Sequence, residues 1–128
     1  MAIFEGLKCL TFVAGEDLSA KQYHFVKLND SGKVVACSSN GENAQGILMN
    51  EPTSGTAATV AMIESGGKCK LVASGSISVN NFICTSSTGR AAVADTDTEY
   101  VLGKALSAST GNGQVITVLF DKLTNTQT

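Results

Sequence analysis

His24 is the only histidine in the chain, so any Ser–His or Cys–His nucleophile pair would have to converge on it. It lies within an alternating run beside Val26 and Leu28, with no partner motif nearby, and reads as a structural strand histidine. Cys9, Cys37, Cys69 and Cys84 contain no CxxC pair, and with one histidine the spacing of a zinc site is absent. Glu16/Asp17 and Asp95/Asp97/Glu99 group carboxylates in turn-like stretches. The run Asp95-Thr96-Asp97-Thr98-Glu99 has the look of half a calcium loop, but it lacks the central glycine and distal glutamate of an EF-hand and reads as a solvated turn. Ser65-Gly66-Gly67-Lys68 and Gly111-Asn112-Gly113 share only composition with phosphate loops. No apolar helix follows either one to aim its first amides at a phosphate, so both read as hairpin turns. No catalytic set, metal site or cofactor site is expected, and the protein is expected not to be an enzyme.

The elements that would position these groups are short strands. Ile3 to Val13 is apolar and ends in Ala14-Gly15-Glu16-Asp17, which predicts a strand or an extended arm, and Asp17 can cap one helical turn through Gln22. Gln22 to Leu28 places Tyr23, Phe25 and Lys27 on one face and His24, Val26 and Leu28 on the other. The turn Asn29-Asp30-Ser31-Gly32 returns the chain through Lys33 to Ser38 as a hairpin. Ala44 to Met49 is a strand carrying Gly46, a residue that permits close backbone approach. Pro52 marks an exposed connection. Thr56 to Ile63 and Lys68 to Ala73 are expected to form a second hairpin across Gly66-Gly67, with Cys69 toward the core. Ser76 to Val79, Asn81 to Thr85, Arg90 to Ala94, Tyr100 to Leu106 and Gln114 to Phe120 complete the series.

Strands this short, separated by turn signals at regular spacing, predict an all-β compact small barrel or sandwich of antiparallel strands with minimal helix. No exact internal repeat is visible. The expected organisation is an N-terminal strand or arm over 1–16, a single β domain over 17–123 and a frayed tail over 124–128.

Composition narrows the function classes. At 128 residues there is room for one ordinary domain, which at this size folds without a metal or disulfide framework. Charged residues make up 16% where an average soluble domain has about 25%, and the surface is therefore largely neutral. Net charge is −2, and the nine Lys and Arg are spread along the chain without stacking aromatics between them, which argues against nucleic-acid binding. No apolar run reaches membrane-spanning length and the N-terminus lacks a basic leader region, so no membrane partner is expected and synthesis in a cytoplasm follows. The four cysteines are then expected as free thiols. What remains is an interface: Ile3, Phe4, Leu7, Leu10 and Phe12 suit either an internal first strand or an intersubunit or partner-docking arm.

The order of several short runs resembles the capsid decoration, or cement, proteins of tailed bacteriophages. These are Asp17-Leu18-Ser19-Ala20-Lys21-Gln22-Tyr23-His24-Phe25-Val26-Lys27-Leu28, Gly32-Lys33-Val34-Val35, and Gln45-Gly46-Ile47-Leu48-Met49-Asn50-Glu51-Pro52 with Gly55-Thr56-Ala57-Ala58-Thr59-Val60. The pattern continues through Gly75-Ser76-Ile77, Thr88-Gly89-Arg90-Ala91 and Val101-Leu102-Gly103-Lys104-Ala105-Leu106. The resemblance implies a non-enzymatic β domain on the outer face of an assembled head, a homotrimer that bridges neighbouring subunits of the phage major capsid protein and stabilises the virion. It matches least over Ala2 to Val13. The alternative from another class is a receptor- or carbohydrate-binding β module of a phage tail or fibre, against which stands the absence of Trp and the presence of only two Tyr.

Overall fold

The computed structural model describes residues 8–63, 66–95 and 99–120. Among the described residues twelve short strands form two five-stranded antiparallel sheets and one two-stranded ribbon. The first sheet holds β1 (Cys9–Val13), β2 (Phe25–Leu28), β3 (Val34–Ala36), β4 (Gly46–Leu48) and β5 (Ala57–Met62), in the order β1-β5-β4-β2-β3. The second holds β6 (Lys68–Val72), β8 (Phe82–Thr85), β9 (Ala91–Val93), β10 (Gly103–Ala105) and β12 (Val115–Phe120), in the order β6-β12-β10-β8-β9. The ribbon pairs β7 (Ser76–Ile77) with β11 (Ser109–Thr110).

Each large sheet curls until its two edge strands meet. A parallel bridge joins Ala14, just past β1, to Val34 at the start of β3, and another joins Ala73, just past β6, to Ala91 at the start of β9. The all-β expectation therefore holds, as two small, nearly closed barrels. The second hairpin expected from Thr56 to Ala73 does not form: β5 pairs with β1 and β4, whereas β6 pairs with β12. Turn residues at Gly66-Gly67 license a reversal, but they do not decide which edge the next strand joins. Gly111–Gly113 likewise connects β11 and β12, which belong to different sheets. The helical turn expected after Asp17 is a looser turn, with the Asp17 carboxylate accepting from the Ser19 N–H and Leu18 O accepting from Lys21 N.

The two barrels are copies of one design. Strands β1 to β5 correspond to β6, β8, β9, β10 and β12 in the same spatial order. The register repeats as well: Cys9 faces Ala61 as Lys68 faces Leu119, and Val26 faces both Gly46 and Ala36 as Ile83 faces both Gly103 and Val93. Gly46 and Gly103 are equivalent, and a Cβ on either would run into the carbonyl oxygen across the strand pair, Ala61 O or Leu119 O. The crowding explains why both positions are glycine. Glu42 and Glu99 are equivalent too, each accepting from the N–H four residues earlier, Ser38 at 2.5 Å and Asp95 at 2.8 Å.

Three clusters make the interior. Val26, Val34, Leu48, Ala58 and Val60 fill the first barrel, with Ala14 and Leu18. Their equivalents Ile83, Ala91, Ala105, Ile116 and Val118 fill the second, within a larger cluster that also takes in the outer face of the first barrel: Phe25, Ile47 and Ala61. A small satellite cluster gathers Cys84, Ala94 and Val101. The barrels are thus welded through a shared apolar layer, the kind of continuous core that lets a chain of this size fold as a unit.

Candidate interface

The groups with chemical potential are used structurally. His24 is buried, its Nδ1 lies 3.0 Å from Gln22 O, and its Nε2 accepts from Arg90 Nε at 3.2 Å. Burial pushes its pKa down, with Lys21 and Arg90 adding to the effect, so the ring is neutral and serves as an acceptor that ties the two barrels together. Cys37, Cys69 and Cys84 are buried, and loss of hydration pushes each thiol up to about 12, far from the thiolate a nucleophile needs. Cys9 is exposed, and all four are free thiols.

Glu42 is held below the usual carboxylate range: burial raises it, but the bonds from Lys27 at 2.8 Å and from the Ser39 and Ser38 amides outweigh that. Glu99 departs from the solvated turn expected of it. It is buried, and its carboxylate accepts from Asp95 N and from Asn40 Nδ2 of the first barrel, both at 2.8 Å. A short acidic run gave no signal of this, because the partner amide lies 59 residues away. Asp97 lies outside the described residues. Among the described residues no group of three or more His, Cys, Asp or Glu is placed to hold a metal ion, and no helix is long and apolar enough to cross a membrane.

The surface carries the more informative pattern. Leu10, Val13, Val79, Phe82, Leu106, Val115 and Leu119 are large apolar side chains between 36% and 51% exposed. Of the residues predicted for an interface, Leu10 is among these and Phe12 is half-buried against the first barrel's core, while Ile3, Phe4 and Leu7 lie outside the described residues. Leu10 and Phe12 sit on β1, an edge strand of the first sheet. Val79, Phe82, Leu106 and Leu119 lie in the second barrel, and nothing in their local sequence marks them as surface residues.

No protein-family model and no curated protein matches this chain. Among solved structures, the chain is similar to one described as the crystal structure of the head fiber gp8.5 N base in bacteriophage phi29, with a TM-score of 0.71 and 18% sequence identity. The match covers 91% of this chain and 98% of that one. The two proteins therefore share their fold across nearly their whole compared length.

Proposed function

We propose that this chain is a non-enzymatic structural protein of a tailed-phage head: a cement protein that binds the outer surface of the assembled head as a homotrimer and bridges major capsid subunits. The observation that carries the reading is the fold shared, over 91% of this chain, with the base of a phage head fibre. The ordered runs from Asp17 to Leu106 that resemble decoration proteins support it independently.

The physical character of the molecule suits the role. His24, Cys37, Cys69 and Cys84 are buried, and Glu42 and Glu99 are held by hydrogen bonds within the fold. Low charge limits repulsion among many crowded copies. Copies on a lattice gain from avidity, so each contact can be modest in area. Most of the large apolar side chains of the short strands pack into two main clusters, one of which spans both barrels.

The test is co-sedimentation with heads of the encoding phage assembled without the protein. The reading requires saturable binding at a fixed ratio and a higher disruption temperature for the decorated heads. Absence of binding overturns it.

A further inference from the structure

The contact between the two barrels follows one rule. The first barrel offers the outer face of β2, β4 and β5, where Phe25, Ile47 and Ala61 lie side by side in register, with Met49 just beyond. The second barrel receives it with β6 and the β8–β9 turn. Cys69 Sγ lies 3.7 Å from Met49 Sδ, Phe25 N donates to Gly89 O at 2.6 Å, and Val72 N donates to Tyr23 O at 2.9 Å. Phe25, Ile47, Ala61, Cys69 and Leu71 are all fully buried there.

Because the barrels are copies, each surface exists twice, and the second instance of each is exposed. The second barrel's own outer row is Phe82, Lys104 and Leu119, equivalent to Phe25, Ile47 and Ala61, with Leu106 equivalent to Met49. The first barrel's own receiving strand is β1, where Leu10, Phe12 and Val13 are equivalent to Cys69, Leu71 and Val72. Among the described residues, five of the seven exposed large apolar side chains, Leu10, Val13, Phe82, Leu106 and Leu119, therefore fall on these two surfaces. They belong to opposite halves of the contact.

The backbone groups match as well. Ala14 N donates to Thr56 O across the β1–β5 pair, so by strand alternation the Val13 N–H points to the open edge, as Val72 N–H points to Tyr23. Phe82 O accepts from Ala94 N as Phe25 O accepts from Cys37 N, so the Phe82 N–H projects to the same side as that of Phe25. The polar pairs at the internal contact include Arg90 with His24, Lys21 with Thr88, Lys70 over Tyr23, and Asn40 with Glu99. The equivalents of the first three are Lys33 with Asn81, Ser78 with Ser31, and Thr11 with Asn80, none of which opposes like charges; those of the fourth are Glu42, whose carboxylate is held by Lys27 at 2.8 Å, and Asp97, which lies outside the described residues. Lys104 replaces Ile47 in the row, a residue whose long stem can cover apolar surface while its ammonium reaches water.

We infer that a second copy of this chain docks here: the outer row of one copy's second barrel, centred on Phe82, seats on β1 of the next copy, reproducing between chains the contact that joins the barrels within one. The interface is heterologous, head to tail, and closes into a ring when the rotation per copy divides the circle. With the trimer proposed above, the ring holds six barrels in a pseudo-sixfold circle, and this count alone rests on that proposal.

Sedimentation velocity over a concentration series tests the inference with the wild type, Phe82→Asp and Leu10→Asp. Both side chains are exposed in the single chain, so the variants should fold, and circular dichroism checks that they do; Leu119→Asp and Val13→Asp are the substitutes if either does not. The wild type is expected to associate and each variant to remain a monomer. An equimolar mixture of the two variants, each retaining the surface the other lacks, is expected to form a dimer and grow no further. A monomeric wild type, either variant at wild-type mass, or a mixture that stays monomeric overturns the inference. Head binding is read separately by pelleting, so variants that fail to self-associate yet still pellet with heads, alongside an associating wild type, support this interface without touching the proposed function.

Discussion

Tyr23 and Asn80 occupy the same place in two successive copies of one fold. They are the only non-glycine residues with positive φ among those described, at 63° and 76°. Tyr23 N donates to Leu48 O at 2.7 Å, and Asn80 N donates to Ala105 O at 2.8 Å, so each makes the same backbone bond on the approach to its barrel's second strand. A left-handed backbone costs a bulky residue free energy, and its recurrence at equivalent positions marks it as a requirement of the fold.

That requirement gives the first prediction. Tyr23→Gly removes the conformational penalty but also the ring beneath the Lys70 ammonium, 5.6 Å from its centroid, whereas Asn80→Gly removes the penalty alone. Asn80→Gly is expected to keep or raise stability by a few tenths of a kcal/mol, and Asn80→Val to lower it by about 1–2 kcal/mol. Urea titration at constant pH measures both.

Gly46→Ala and Gly103→Ala place a methyl against Ala61 O and Leu119 O respectively. Each is expected to cost about 1–3 kcal/mol as the strand pair is forced apart. At Gly55, whose Cβ would meet nothing but whose φ is +84°, alanine strains only the backbone, and a smaller loss is expected. A chemical-denaturation midpoint for each variant decides the order.

His24 makes stability depend on pH. Burial lowers its folded pKa below the unfolded value near 6.5, so the unfolded chain binds a proton that the folded one refuses. Its contribution is therefore complete above about pH 6.5 and is lost as pH falls below that, with a slope of at most about 1.4 kcal/mol per pH unit. His24→Gln, which retains an acceptor toward Arg90, should flatten that slope in unfolding curves recorded from neutral pH down to about 5.

Thiol reactivity should divide one against three. Cys9 is exposed, while Cys37, Cys69 and Cys84 are buried with pKa values pushed up to about 12. Brief alkylation of the native protein, followed by peptide mass mapping, is expected to modify Cys9 alone, and denaturant should release the other three.

The strands were readable because each is bounded by a turn signal and carries apolar alternation. Asn29-Asp30-Ser31-Gly32 forms the expected turn, with the Asn29 side chain accepting from Ser31 and Lys33 amides. The duplication was not readable, because the copies keep identity only where geometry insists. Gly32 and Gly89 share the positive φ of a tight turn, Gly46 and Gly103 the crowded strand crossing, and Glu42 and Glu99 the same backbone bond. Between these points Ile47 becomes Lys104 and Ala61 becomes Leu119, because one copy buries that row and the other exposes it. Of the interface residues chosen from the sequence, Leu10 and Phe12 lie on the exposed receiving strand, but their counterparts Phe82, Leu106 and Leu119 sit far along the chain and become legible only through the repeat.

The most direct test of the proposed function is quantitative co-sedimentation of the purified protein with phage heads assembled in its absence. The account predicts saturation at one fixed number of copies per head, with bound and free protein separated sharply in the gradient. Protein that stays wholly in the supernatant, at concentrations where it is folded and self-associated, would contradict it.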